Sequence, residues 1–187
     1  INGNIFEGDV ISFDTNNTFI RSSEKLVATF GVSNMTIINT KDALFVSDNT
    51  QSENVKDIVK VLIESKRSEH IHHRKVHRPW GWYDSIEKGR YFQVKRLHIY
   101  PGAKLSIQRH QKRSEHWVLI SGKVIASKGE TDISMIEGDS IFIPKGEIHS
   151  LYNPNDEYAE IIEVQSGSYL GEDDIERFED IYGRADS

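Results

Sequence analysis

Short apolar runs broken at close intervals fill the first part of the chain. "NIF", "DVISF", "TFI", "LVATFG", "MTIINT" and "ALFVS" follow one another through residues 1–48, separated by Asn, Asp, Ser and Gly. Runs of this length between turn-forming residues predict successive short strands, stacked as a β layer or a small solenoid. Ile11, Phe13, Ile37 and Asn39 lie in this region and carry no chemistry. From Ser52 to Ser65 the period changes. In "SENVKDIVKVLIES", Val55, Ile58, Val59, Leu62 and Ile63 recur at three- and four-residue intervals, which predicts an amphipathic helix with Ser52 or Asn54 as N-cap and a neighbour to pack on.

"KRSEHIHHRKVHR", residues 66–78, holds four histidines and five Lys or Arg, with Ile71 and Val76 its only aliphatics. A metal or phosphate contact is one reading. No turn brings the histidines together, so a solvated basic linker is the better one. The division expected is residues 1–66, a linker at 67–77, and a second domain over 78–187. Beyond Pro79, "YFQVKRLHIYPG", "HWVLISGKVIAS", "SIFIPKG", "HSLYNP" and "AEIIEVQSG" are short strands closed by Pro, Gly or Asn turns at even spacing. Such a series predicts a closed sandwich or barrel of jelly-roll type, so the whole is mainly β. In the acidic tail, Ile175, Phe178 and Ile181 fall three apart, which predicts a short helix docked on the barrel.

Composition narrows the function classes. The 187 residues are 37% hydrophobic and 28% charged, enough for a real core. A net charge of −6 supplies no positive field to hold nucleic acid or an anionic membrane, so a small molecule is the expected partner. There is no cysteine, which removes disulfides, thiolate nucleophiles and Cys-based zinc sites together and suits a reducing compartment. No run reaches membrane-span length and no signal peptide opens the sequence, so the cytoplasm is the expected location. The opening at Ile1, already strand-like, reads as the middle of a longer protein.

Candidate chemistry concentrates in "SIQRHQKRSEHW", residues 106–117. On a strand, Gln108 and His110 share one face while Arg109 points away. If strand geometry resumes after a turn at Gln111 and Lys112, then Arg113, Glu115 and Trp117 share a face as well. A second segment, "GDSIFIPKGEIHSLYN", sets His149 just after a Pro144/Gly146 turn.

These two segments resemble the cupin motifs. Gly102, Gln108, His110, Glu115 and Gly122 fit every interval of the first, and Gly138, Pro144, Gly146, His149 and Asn153 fit the second. Cupins generally carry His where this chain has Gln108. A Gln, His, Glu, His set suits a divalent metal, zinc above all, held with one position open. "RPWGWYDSIEKGRYFQVKRLHIYPGAKLSIQRH", "RSEHWVLISG", "IPKGEIHSLYNP" and "IIEVQSGSYLGEDDIERFEDIYGR" resemble, from Arg78 to Arg184, the type II phosphomannose isomerases. These form the C-terminal part of bifunctional mannose-1-phosphate guanylyltransferase/mannose-6-phosphate isomerases. Residues 1–65 resemble the end of the guanylyltransferase half, a β-helix-like remnant. That half's nucleotide loop lies upstream in the family, so this chain alone should not transfer guanylyl groups.

The resemblance implies interconversion of mannose 6-phosphate and fructose 6-phosphate for GDP-mannose and polysaccharide synthesis. Zinc held by Gln108, His110, Glu115 and His149 would stabilise the developing oxyanion. Arg113 would meet the enediolate or the phosphate, with Lys95, Arg96, Lys104 and Lys145 as further phosphate candidates. Lys145, Glu163 and a zinc-bound water stay open as the proton-transfer base. Trp80, Trp82 and Trp117 could line a sugar pocket, though core packing suits at least two of them. The partner expected is a sugar phosphate, with a homodimer as the assembly to test. The competing readings are a sugar-phosphate-binding cupin without turnover and a metal-dependent cupin oxygenase.

Overall fold

The structure, a computed structural model, describes residues 2–65, 67, 74–179 and 181–183. It divides into two compact units, residues 1–74 and 75–187.

In the first unit the strands are β1 (Ile5–Glu7), β2 (Val10–Phe13), β3 (Phe19–Ser22), β4 (Val27–Phe30), β5 (Met35–Asn39) and β6 (Leu44–Asp48). Each of the six apolar runs supplies one. β1, β3 and β5 pair in parallel, β2 and β4 form a second parallel pair, and β6 closes antiparallel on β5. Parallel stacking of consecutive segments is a coil, and its corner is visible in the asparagines. Asn17 and Asn34, 17 residues apart, both take left-handed φ values of 47° and 59°, which Asn tolerates better than most residues. Asn17 Nδ2 donates to Asn34 Oδ1 at 2.8 Å, and Asn34 Nδ2 donates to Asp48 Oδ1 at 3.2 Å. This is the solenoid form of the two expected.

The helix α1 (Val55–Glu64) follows a 3-10 turn over Asn49–Asn54, with Asn54 at the N-cap position but no side-chain cap bond. Among the described residues, the expected packing on a neighbouring sheet is not found. None of its residues is buried, and Ile58 and Ile63 are half exposed. The cause is placement: the helix has its main contact with the turn that leads into it rather than with a sheet.

The second unit holds β7 (Lys75–Arg78), β8 (Gly81–Lys88), β9 (Phe92–Ile99), β10 (Ile107–His110), β11 (Arg113–Ser121), β12 (Lys123–Lys128), β13 (Thr131–Ile136), β14 (Ser140–Ile143), β15 (His149–Tyr152), β16 (Ala159–Gly167) and β17 (Ile175–Glu179). One sheet runs β14-β11-β16-β9-β8-β7 and the other β13-β12-β15-β10-β17. This is the expected jelly-roll barrel. Alternation builds it: β11 and β16 bury every second residue along most of their length, and a period of two sends those residues to one face.

Two expectations change here. Lys75, Val76 and His77, read as the end of the basic linker, belong with Arg78 to a strand paired with β8, in which Val76 lies opposite Tyr83. The rest of the His-rich stretch, residues 66 and 68–73, lies outside the described residues. The tail is not a docked helix. Ile175–Glu179 is a strand that pairs antiparallel with β10, whose edge would otherwise have unpaired backbone groups. Among the described residues of the tail, the helical piece is a 3-10 turn over Glu172–Asp174.

The barrel interior has two different ends. Inward positions of β9, β11 and β16 supply Leu97, Ile99, Leu119, Ala159 and Ile161 towards one end. Facing them are Val124, Ala126 and Leu151 of the second sheet, and these join Trp117 and Ile143 in one hydrophobic core. Towards the other end the same alternation buries Gln93, Lys95, Arg113, Glu115, Glu163 and Gln165.

Candidate metal centre

The polar end is assembled by strand register. His149 on β15 stands directly opposite Gln108 on β10, so both project to the same face. His110 lies two residues further along β10. The second ligand segment is tied to the first through its turn: Gly146, at a φ of 79° that favours glycine, donates its N–H to the carbonyl of His110 at 2.8 Å. On the facing sheet, Glu115 is opposite Gln165 and Trp117 is opposite Glu163. Arg113 is opposite Gly167, where a Cβ would lie 2.8 Å from the Arg113 Cα, so only glycine admits this approach.

Three side chains converge. One ligand atom each from His110, Glu115 and His149 lies within 4.8 Å of the others, and all three residues are buried. His110 Nε2 is 3.1 Å from Glu115 Oε1, and His149 Nε2 is 3.6 Å from Glu115 Oε2. Zinc bonds of about 2.0–2.2 Å place two ligands of one ion at comparable separations. The histidine tautomer suits ligation too. His149 Nδ1 sits 2.9 Å from the carbonyl of Glu147, which only an N–H can satisfy, so Nε2 keeps its lone pair. That Nε2 is buried without a hydrogen-bond partner, a costly arrangement that a bound cation resolves, and His110 Nδ1, the ring nitrogen other than the one facing Glu115, is buried without a partner as well. Gln108 lines the adjoining cavity, and its Oε1 accepts from Ser106 at 3.1 Å. The donor set therefore fits a divalent metal.

Charges around this point are strongly coupled. Glu115 is held well below the usual carboxylate range: burial opposes ionisation, but the His110 contact and the charges of His149 and Arg113 outweigh it. Burial holds His149 below its ordinary value against the pull of Glu115. Glu163 is pushed up to about 8, first by burial and then by the neighbouring Glu115 carboxylate. Burial alone would lower Lys95, yet Glu163 and Glu172 carry it above its ordinary value. Arg113 Nε donates to Glu115 Oε1 at 3.1 Å and Nη1 to the carbonyl of Gly171 at 3.1 Å. Trp117 Nε1 donates to both Glu115 and Glu163, at 3.1 and 3.2 Å.

Of the residues singled out in the sequence, Lys95, Gln108, Arg113, Glu115 and Glu163 line one cavity, with His110 and His149 against Glu115 behind it. Arg96, Lys104 and Lys145 do not line it. Arg96 turns to the outer face and pairs with Glu160, Lys104 forms a backbone β-bridge with Tyr152, and Lys145 is exposed. Trp80 and Trp117 are core residues, and Trp82 stacks on His98 at 4.8 Å. Arg78, Tyr83, Gln165, Glu172 and Arg177 also line the cavity and were not singled out. Gln165 was within reach, two residues from Glu163 on the same strand. The others depend on strand pairings that local spacing does not contain.

A two-sheet β barrel with two histidines and a glutamate converging inside it is a cupin. More narrowly, the chain belongs to the mannose-6-phosphate isomerase C-terminal family, whose model matches residues 65–180, while residues 8–62 match the MannoseP isomerase/GMP-like beta-helix domain. It is 47% identical over 183 residues to the alginate biosynthesis protein AlgA of Pseudomonas putida, covering 98% of this chain and 38% of that protein. It is 45% identical over 183 residues to the mannose-1-phosphate guanylyltransferase ManC of Salmonella typhimurium, covering 97% and 38%. The chain thus spans 38% of the length of these relatives. Among solved structures, a conserved protein with a double-stranded beta-helix domain from Klebsiella pneumoniae overlays at a TM-score of 0.47 and 18% identity, covering 51% of this chain and 84% of that one.

Proposed function

We propose that the barrel is a zinc-dependent isomerase interconverting mannose 6-phosphate and fructose 6-phosphate, acting in the cytoplasm on the route to GDP-mannose and polysaccharide. The observation that carries the reading is the buried His110, Glu115 and His149 cluster opening onto a cavity lined by Gln108, Arg113 and Glu163. Membership of the isomerase family and the names of the relatives support it. Among the described residues no helix is long and apolar enough to cross a membrane.

Gln108, His110, Glu115 and His149 would hold the metal, which when bound acts as a Lewis acid on sugar oxygens. The remaining work falls to the chain's own side chains. Aldose–ketose isomerisation moves a proton between C2 and C1 and passes through an enediolate whose oxyanion needs fixed positive charge. Arg113 is such a cation, pinned by Glu115 and Gly171 so that no reorganisation is needed as charge develops. Glu163 carries the proton. It lies in the same cavity, each carboxyl oxygen fixed by one donor: Trp117 at 3.2 Å and Gln165 at 3.0 Å. Trp80, Leu97 and Leu105 give the cavity an apolar side that limits water.

A coupled assay of fructose 6-phosphate formation, run beside metal analysis, tests this. His110→Ala is expected to lose metal and activity together. Full activity in His110→Ala, or a zinc-loaded wild type that binds mannose 6-phosphate without converting it, would refute the isomerase reading. Oxygen consumption with ferrous iron would favour oxygenase chemistry instead.

A further inference from the structure

We infer that Arg177, assisted by Arg78, is the phosphate clamp of this site; the inference rests on the isomerase reading and gives the substrate its orientation. The cavity holds four cationic side chains, Arg78, Lys95, Arg113 and Arg177. Two already have a close carboxylate partner. Arg113 is bonded to Glu115, and Lys95 Nζ pairs with Glu172 at 2.7 Å. The Arg177 side chain forms no hydrogen bond or ion pair among the described residues, and its Nε is buried with no partner. A guanidinium N–H withdrawn from water and left unpaired is costly unless a ligand completes it. Arg78 forms no close ion pair among the described residues, although the Glu172 carboxylate is near enough to feel its charge. Its guanidinium lies 5.7 Å from the Tyr83 ring centroid and hydrogen-bonds the Tyr83 side chain, and a fork of five N–H groups still has donors left for an anion. Two guanidinium forks in one cavity, that of Arg177 without a partner, match the charge and geometry of a phosphate dianion.

Register supplies the orientation. His149, Gln108 and Arg177 occupy directly opposed positions on the adjacent strands β15, β10 and β17, so their side chains leave one face in a row. At about 4.8 Å per strand, Arg177 sits roughly 10 Å from His149, a span that an extended six-carbon sugar phosphate fills. C1 and C2 would lie beside the ligand cluster and the phosphate at β17. The tail strand thereby has a task beyond covering the β10 edge. Arg96, Lys104 and Lys145 offer no competing site, because none lines this cavity.

The test is calorimetric titration of the metal-loaded full chain with mannose 6-phosphate and with mannose, for wild type, Arg177→Gln, Arg177→Lys and Arg78→Gln, alongside isomerase kinetics. Arg177→Gln is expected to weaken mannose 6-phosphate binding about ten- to a hundredfold. Metal stoichiometry should be unchanged, and the kinetic loss should fall mainly on KM. Arg177→Lys should recover part of the affinity, and Arg78→Gln should show a smaller loss. Affinity within twofold of wild type in Arg177→Gln overturns the clamp, as does a wild type that binds mannose as well as its phosphate. If Arg177→Gln does not fold, unchanged affinity in both Arg177→Lys and Arg78→Gln overturns it. A wild type that binds the phosphate through Arg177 without turnover leaves the clamp standing and removes the isomerase reading. Turnover that is indifferent to Arg177 does the reverse.

Discussion

The two ends of the barrel interior are made by the same strands under the same alternation, yet they do opposite work. On β11, the inward series runs Arg113, Glu115, Trp117, Leu119, changing from charged to apolar within a few residues. β16 runs antiparallel to it, so Gln165 and Glu163 meet the charged part and Ile161 the apolar part. The apolar end is stabilised by burial that needs no partner atoms. The charged end holds buried groups that are costly unless paired, and it leaves His110 Nδ1, His149 Nε2 and Arg177 Nε without partners. A fold that stabilises itself at one end can carry unsatisfied chemistry at the other.

The contrast breaks most severely at Arg113. Arg113→Ala leaves the Glu115 carboxylate buried without its guanidinium, a loss of about 3–5 kcal/mol in metal-free protein. In metal-loaded protein it should lower turnover about 100- to 1000-fold with metal still bound. Denaturant unfolding, kinetics and metal analysis check the three parts. At the other end, Leu119→Ala removes a fully buried side chain and should cost about 2–5 kcal/mol of unfolding free energy. Metal stoichiometry and KM should not move, and a shift in either would show that the two ends are not separable.

A finer probe is pH. Glu163 sits near 8 in the fold against an ordinary 4.5, so its proton is held more tightly in the native state. Its contribution is complete below about 4.5 and is lost as pH rises towards 8, the unfolded chain having released its proton first. Melting temperatures of metal-free wild type and Glu163→Gln, taken across that range, should therefore differ in slope, with the variant flatter. Parallel curves would mean that Glu163 is ionised in the fold. The smallest effect is expected on the outer face, where Arg96 pairs with Glu160 in solvent. Arg96→Gln should change stability by less than about 1 kcal/mol and leave kinetics unchanged.

What the sequence made legible follows the same division. The cluster was readable because His110 and Glu115 lie within a few residues of Gln108 and Arg113, where a period of two decides which side chains share a face. His149 was readable through its Pro-x-Gly turn. Arg177 was not. Three-residue spacing of Ile175, Phe178 and Ile181 suggested a helix, but pairing with β10 overrode it, and that pairing joins segments far apart in the chain. Lys95 and Arg96 are neighbours of the same charge, and only the register of β9 against β16 turns one inward and the other out. The strands Gly81–Lys88 and Thr131–Ile136 also escaped notice, the second because Thr131, Asp132 and Ser134 leave it few apolar positions and only Met135 is buried.

The most direct measurement is solvent exchange at the substrate's C2 hydrogen. Mannose 6-phosphate would be incubated in deuterium oxide with zinc-loaded protein, then with chelator-treated protein, and followed by proton NMR. Loss of the C2 proton signal with formation of fructose 6-phosphate under zinc, abolished by the chelator and restored by added zinc, is the expected result. Conversion that persists unchanged without metal, or no conversion with zinc bound, would contradict a metal-dependent isomerase at the charged end of the barrel.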